Sequence, residues 1–327
     1  NLAEVSIESG QPADAVKLMQ ELAPKIETQK DLKPLELRAL IALLRGCVVT
    51  KDLHAAENTM KSIESTRKDL AQITRVYLDL GKQLQGEMGR LQALGDNLKY
   101  EITRDSYVSF LNQMASRREG QTFLTLEWTG EAFFGLEMYD QAAARFGEIV
   151  NRSLSDPKFL DQSNPQNRAA LTQSKLRRVT AVRKQGRFSE AWELIKPLPP
   201  QSNTGKDPLH EGLARDFDII MERGLVLQEW GDKEPKRLDT AINHWAYWGR
   251  EMDKLAQKPT QYFELRVNMI RSLLKRARNP ADAKDREQRL RQAEQQLLFL
   301  TKTSTALGGP ALKTQFKQLQ RELEKEL

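Results

Sequence analysis

The side chains that most often do chemistry are sparse in this chain and poorly spaced for it. Its 327 residues hold one cysteine, Cys47, and three histidines, His54, His210 and His244. A single cysteine cannot close an internal disulfide. None of the histidines stands at ligand spacing from Cys47, from a carboxylate or from another histidine, so no metal site is expected. Cys47 lies in Ala42-Leu43-Leu44-Arg45-Gly46-Cys47-Val48-Val49. That run reads as a buried helix stripe, with no neighbour that would activate a thiolate. Glu127 and Glu131 are four residues apart and share a helix face. Paired carboxylates can do acid–base work, but this spacing is also that of ordinary solvated surface, and it is read as such. Gly308-Gly309 lacks the Lys-Ser/Thr of a phosphate loop and reads as a turn. There is no nucleophile elbow, no His-Glu-x-x-His and no cysteine pair. No cofactor is expected, and the chain reads as not an enzyme.

Charge is more informative. The net charge is +6 and the sequence pI is near 9.2. Residues 259–327 carry 14 Lys/Arg against 8 Asp/Glu, which leaves the remainder close to neutral. Between Asp161 and Glu190 there is no acid, but there are seven bases: Arg168, Lys175, Arg177, Arg178, Arg183, Lys184 and Arg187. Cations on one face can take a carboxylate or an acidic peptide through charge-assisted hydrogen bonds. The competing reading is a solvated face whose acidic counterparts come from an adjacent helix. Lys275, Arg276 and Arg278 lie near the end of a helix, where cations suit the dipole, and are read as structural. The aromatic group Trp230, Trp245, Tyr247 and Trp248 reads first as packing between helices. Its second reading is the wall of a peptide groove. Trp128 and Trp192 are read in the same way.

The elements that would position these residues are helices. A recurring frame runs through the chain: an alanine, an apolar residue four later, and another three after that. It reads Ala15, Met19, Leu22; Ala56, Met60, Ile63; Ala142, Phe146, Ile149; Ala191, Ile195, Leu198; Ala241, Trp245, Trp248; and Ala293, Leu297, Leu300. Steps of four and three keep all three side chains on one helix face. Gly10-Gln11-Pro12-Ala13-Asp14-Ala15 and Gly186-Arg187-Phe188-Ser189-Glu190-Ala191 read as a glycine turn followed by a helix start. Before Ala142 the equivalent turn position holds Glu137. Ser189 and Asp140 are expected to help start the following helices. Twelve residues before four of the alanines stand Ala3, Leu44, Gly130 and Val179, small or apolar sites where a preceding helix could approach its mate.

This pattern resembles the tetratricopeptide repeat. The best matches are residues 123–150, with Gly130, Phe133, Ala142 and Phe146, and residues 172–199, with Val179, Val182, Gly186 and Ala191. In phrasing, the chain also resembles the large repeat proteins of planctomycete-type bacteria. The resemblance implies an all-α fold: a right-handed α-solenoid of antiparallel helix hairpins. It also implies a non-catalytic scaffold that holds a peptide or protein partner in a concave groove. The first helix of each pair would line that groove. With the register set by Ala191, Gln173, Leu176, Thr180, Arg183 and Lys184 would face inward, flanked by Arg177 and Arg187. The partner-binding candidates are therefore Gln173, Arg177, Thr180, Arg183, Lys184 and Arg187, for a partner that is acidic in character. The alanines are spaced by 41, 86, 49, 50 and 52 residues, against a family period of about 34, so the repeats are degenerate. Arg178 also falls where the family places an apolar residue.

Two other readings belong to different classes. One is a nucleic-acid-binding solenoid, although +6 is modest for a polyanion site and no aromatic–basic alternation suits base stacking. The other is a helical accessory domain of a larger enzyme. Along the chain, residues 1–200 read as degenerate hairpins that include a long helix pair at about 69–117. Residues 209–327 read as further hairpins, and Leu198 to Pro208 as the linker between. Gly81, Gly86 and Gly89 inside the long helix suggest close packing against a neighbour. No apolar stretch is long enough to span a bilayer. The helical pattern is already running at Asn1, which suggests a fragment of a longer chain. That leaves the compartment open, with the cytoplasm favoured.

Overall fold

The computed structural model describes residues 6, 11–50, 52–66, 70–117, 121–198, 213–255, 257–280, 283–304 and 307–327. Among them there are fourteen α-helices, one short 3-10 turn at Lys30–Leu35 and no strand. The chain forms two compact units, Asn1–Leu171 and Thr172–Leu327. The proposed linker from Pro199 to Pro208, and Ala3, lie outside the described residues.

In the first unit, α1 (Pro12–Thr28) packs on α2 (Glu36–Thr50), and α2 on α3 (Leu53–Thr66). The long pair follows as α4 (Leu70–Ala93) and α5 (Asn97–Ser116), then a hairpin of α6 (Phe123–Gly135) and α7 (Tyr139–Ser155). In the second unit, α9 (Phe188–Ile195), α10 (Leu213–Trp230), α11 (Lys236–Asp253), α12 (Thr260–Arg278), α13 (Ala283–Thr303) and α14 (Pro310–Glu326) each pack on the next in chain order. The helix between these two sets, α8 (Pro165–Lys184), carries the division at Leu171. Pro165 opens it, with the Gln166 N–H donating to Asn164 Oδ1 at 2.8 Å. Proline suits a first turn because the N–H it lacks has no helical partner there.

The alanine frame is the core. Every residue in it is buried except Leu22, which is half-buried. Full burial of a side chain such as Phe146 contributes about 1.5–3 kcal/mol. Close approach is set by glycine facing an aromatic ring. A Cβ on Gly130 would stand 2.9 Å from the Phe146 ring, and one on Gly224 only 2.0 Å from that of Trp245. Gly81 likewise receives the edge of Trp128 at 2.1 Å, but Gly86 and Gly89 face open space. Only the first of the three glycines in α4 therefore serves close packing.

The turns repeat as well. Where α8 ends, Gly186 has φ +74°. The Arg187 N–H donates to the Val182 carbonyl at 3.2 Å, and the Gly186 N–H to that of Arg183 at 2.8 Å. This is the Schellman pattern that absorbs the last helical carbonyls. After α6 the same pair of bonds forms, Met138 to Phe133 and Glu137 to Phe134. There Glu137 itself takes the left-handed conformation at φ +59°. Asp140 and Ser189 sit in the first turns of α7 and α9, and neither of those helices has a side-chain cap hydrogen bond.

Candidate partner-binding site

Helix α8 and the turn after it carry all six candidates, and all six belong to the second unit. At roughly 100° per residue, Gln173, Arg177, Thr180 and Lys184 fall on one face, and the structure treats them alike. Gln173 and Lys184 are exposed, while Arg177 and Thr180 are half-buried. The Thr180 hydroxyl is turned back onto the Leu176 carbonyl at 3.1 Å. Arg177 lies near enough to Asp218 of α10 to pull that carboxyl's pKa down, against burial, which pushes it up more strongly. Lys184 has no ion-pair partner among the described residues. Arg187 is exposed, pairs with Glu190 and donates to Gln185 Oε1 at 2.8 Å.

Arg183 is placed differently. It is 4% exposed, with its Nε 2.6 Å and its Nη2 3.0 Å from the two oxygens of Glu222. Its Nη1 reaches Glu229. Glu222 is buried as well. Burial lowers the Arg183 pKa, and the two carboxylates outweigh that to leave it raised. A buried cation is tolerated when its charge and donors are matched in this way. Arg183 thus ties α8 to α10 and has no free charge to offer. Leu176 is buried too.

The remaining chemical candidates resolve into structure. Cys47 is fully buried, and burial, with Asp52 nearby, pushes its thiol up to about 11. Trp245 and Trp248 are core residues. Trp230 donates to Glu234 at 3.1 Å, beneath the Arg237 guanidinium at 3.8 Å. Tyr247 is 40% exposed. Lys275 pairs with Asp232, Arg276 with Asp239 and Asp285, and Arg278 with Glu322 and Glu326. Half of the C-terminal bases are ion-paired, while Lys302, Lys313, Lys317 and Lys325 have no ion-pair partner among the described residues. Burial raises the Glu127 carboxyl above its usual range, with Glu131 adding to the effect. Among the described residues no group of His, Cys, Asp and Glu could hold a metal ion. No described helix is long and apolar enough to cross a membrane.

A glycine seated on the partner helix's aromatic residue occurs in both units, Gly130 on Phe146 and Gly224 on Trp245, and left-handed turns close α6 at Glu137 and α8 at Gly186. Within each unit the architecture is all-α, with helices packed on their neighbours in chain order. Among solved structures the chain is similar to a tetratricopeptide repeat protein from Parabacteroides merdae, at 13% identity and a TM-score of 0.35, covering 98% of this chain and 96% of that one. It is also similar to the TPR domain of P58(IPK), at 14% identity and a TM-score of 0.23, covering 99% and 97%. No protein-family model matches the chain, and no curated protein does.

Sequence reasoning missed the acidic partners of Arg183, because Glu222 and Glu229 stand 39 and 46 residues away along the chain. It also missed Gly224, which lies 17 residues before Ala241 rather than 12. The signal available was a glycine inside an apolar helix, one helix ahead of a tryptophan in the alanine frame.

Proposed function

We propose that the chain is a non-catalytic scaffold that holds an acidic peptide or protein segment, and that the exposed face of α8 is part of the surface it uses. The observation that carries this reading is the strip Gln173, Arg177, Thr180, Lys184 and the adjoining Arg187, in a segment of 28 residues without an acid. Lys184 keeps an uncompensated charge in that strip. Arg183 stiffens the strip from below through its carboxylate pair and does not touch the partner.

The test is a triple substitution, Arg177→Glu, Lys184→Glu and Arg187→Glu, which leaves Arg183 in place so that the fold survives. Proteins captured from host lysate are compared by quantitative mass spectrometry. Partners specific to the wild-type chain should fall at least about tenfold, a change of about 1.4 kcal/mol. Equal recovery by the variant rules the strip out. Salt-sensitive binding of random oligonucleotides by the wild-type chain supports the nucleic-acid reading instead.

A further inference from the structure

We propose a second docking site on the last two helices, built to take an apolar side chain flanked by acids on a short peptide. Between α13 and α14 lies a cavity of about 270 Å³. Its floor is Leu297, Leu307 and Phe316, all belonging to the core of the second unit, and its mouth carries Thr301, Lys313 and Lys317. The wall at Leu307 is shaped by a left-handed backbone, φ +48°, with the Leu307 N–H donating to Ser304 Oγ at 3.2 Å.

Charge selects the occupant. Lys313 and Lys317 are exposed, four residues apart on one face of α14, and neither has an ion-pair partner among the described residues. Like charges at this spacing repel each other. The carboxylates nearest in sequence do not relieve them: Glu322 is engaged by Arg278, and Glu324 accepts from Gln320 Nε2 at 3.0 Å. An acidic residue on either side of an inserted Leu or Phe would neutralise both lysines while the apolar side chain covers the floor. Size selects a peptide over a small molecule. Enclosing sites for drug-sized ligands span about 300–1,000 Å³, and this depression is smaller and open, suited to one or two side chains. The site lies on residues other than the α8 strip and stands or falls separately from it.

The probe is a fluorescein-labelled peptide, Asp-Glu-Leu-Phe-Glu-Asp, with Asp-Lys-Leu-Phe-Lys-Asp, Lys-Lys-Leu-Phe-Lys-Lys and dodecanoate as comparators, read by polarisation or by competition. The acidic peptide should bind saturably, and the all-lysine peptide at least tenfold more weakly. Binding of the acidic peptide should fall at least tenfold in Lys313→Glu/Lys317→Glu. It should also fall in Thr301→Trp, which plugs the mouth from an exposed position, with helicity by circular dichroism unchanged. The Arg177→Glu/Lys184→Glu/Arg187→Glu variant should bind it as the wild-type chain does. No saturable binding up to roughly millimolar peptide, equal binding of the all-lysine peptide, or full retention by Lys313→Glu/Lys317→Glu overturns the proposal. Dodecanoate that displaces the peptide at lower concentration overturns the choice of a peptide as occupant.

Discussion

At Glu137 a side chain occupies a backbone conformation that the equivalent turn at Gly186 reaches without cost. Both residues close Schellman turns, at φ +59° and +74°. A Cβ in the left-handed region costs about 1–2 kcal/mol, so Glu137→Gly should raise stability by about 1 kcal/mol in urea unfolding, once the added chain entropy is deducted. Gly224 sets the opposite case. A methyl there would meet the Trp245 ring at 2.0 Å. Gly224→Ala should lower stability by about 1–3 kcal/mol despite the better helix propensity of alanine. His244 carries a pH signature. Its ring lies edge-on to Trp245 at 5.2 Å, with Nε2 2.8 Å from the Ile220 carbonyl. Burial drops its pKa from 6.5 to about 4. The unfolded chain therefore takes up a proton that the folded one refuses. Stability from this group is complete above pH 6.5 and is lost as pH falls towards 4, by about 2 kcal/mol at pH 5. Urea midpoints at pH 7 and pH 5 should differ more for the wild-type chain than for His244→Gln.

The pairing of helices is where sequence and structure meet most directly. The spacing of four and three located the buried stripe of every helix that carries it, because a helix buries what its 3.6-residue period places on one side. It could not assign Arg183. The register by Ala191 turns that residue towards the groove, and whether such a position is open or buried depends on what faces it. Here the facing group is Glu222, on a helix 39 residues further along. Pattern within one helix does not report such a partner. The same holds for Gly224: it stands 17 residues before Ala241 where Gly130 stands 12 before Ala142, and the longer turn after α10 supplies two of those five residues, the flanking helix ends the other three. Of the six candidates on α8 and the turn after it, Gln173, Arg177, Thr180 and Lys184 share a face, and that much follows from spacing. The buried ion pair yields an element-scale prediction. Arg183→Met leaves Glu222 buried without a counter-charge and should cost about 3–5 kcal/mol. Arg183→Met/Glu222→Met should recover most of that, as a double-mutant cycle in urea would show. If the double substitution is as damaging as the single one, the pair is not what joins α8 to α10.

For the whole molecule the relevant fact is two compact units rather than one. Each has its own buried residues and its own helix pairs, so all-or-none unfolding is not expected. Of the five tryptophans, only Trp128 belongs to the first unit. In a Trp128→Phe chain, fluorescence therefore follows the second unit while far-ultraviolet circular dichroism follows both. The two urea transitions should fail to coincide. Superimposable curves at all denaturant concentrations would show that the units melt together. Cys47 adds a practical consequence. Its sulfur is sealed in the first unit, with the thiolate disfavoured until about pH 11. At neutral pH the native chain thus offers maleimide reagents almost nothing to react with. A cysteine introduced at any exposed position, Lys184 or Lys317 for instance, would take a fluorophore or spin label there alone, without first removing the natural thiol. Labelling of Cys47 itself would then time the opening of the helices around it.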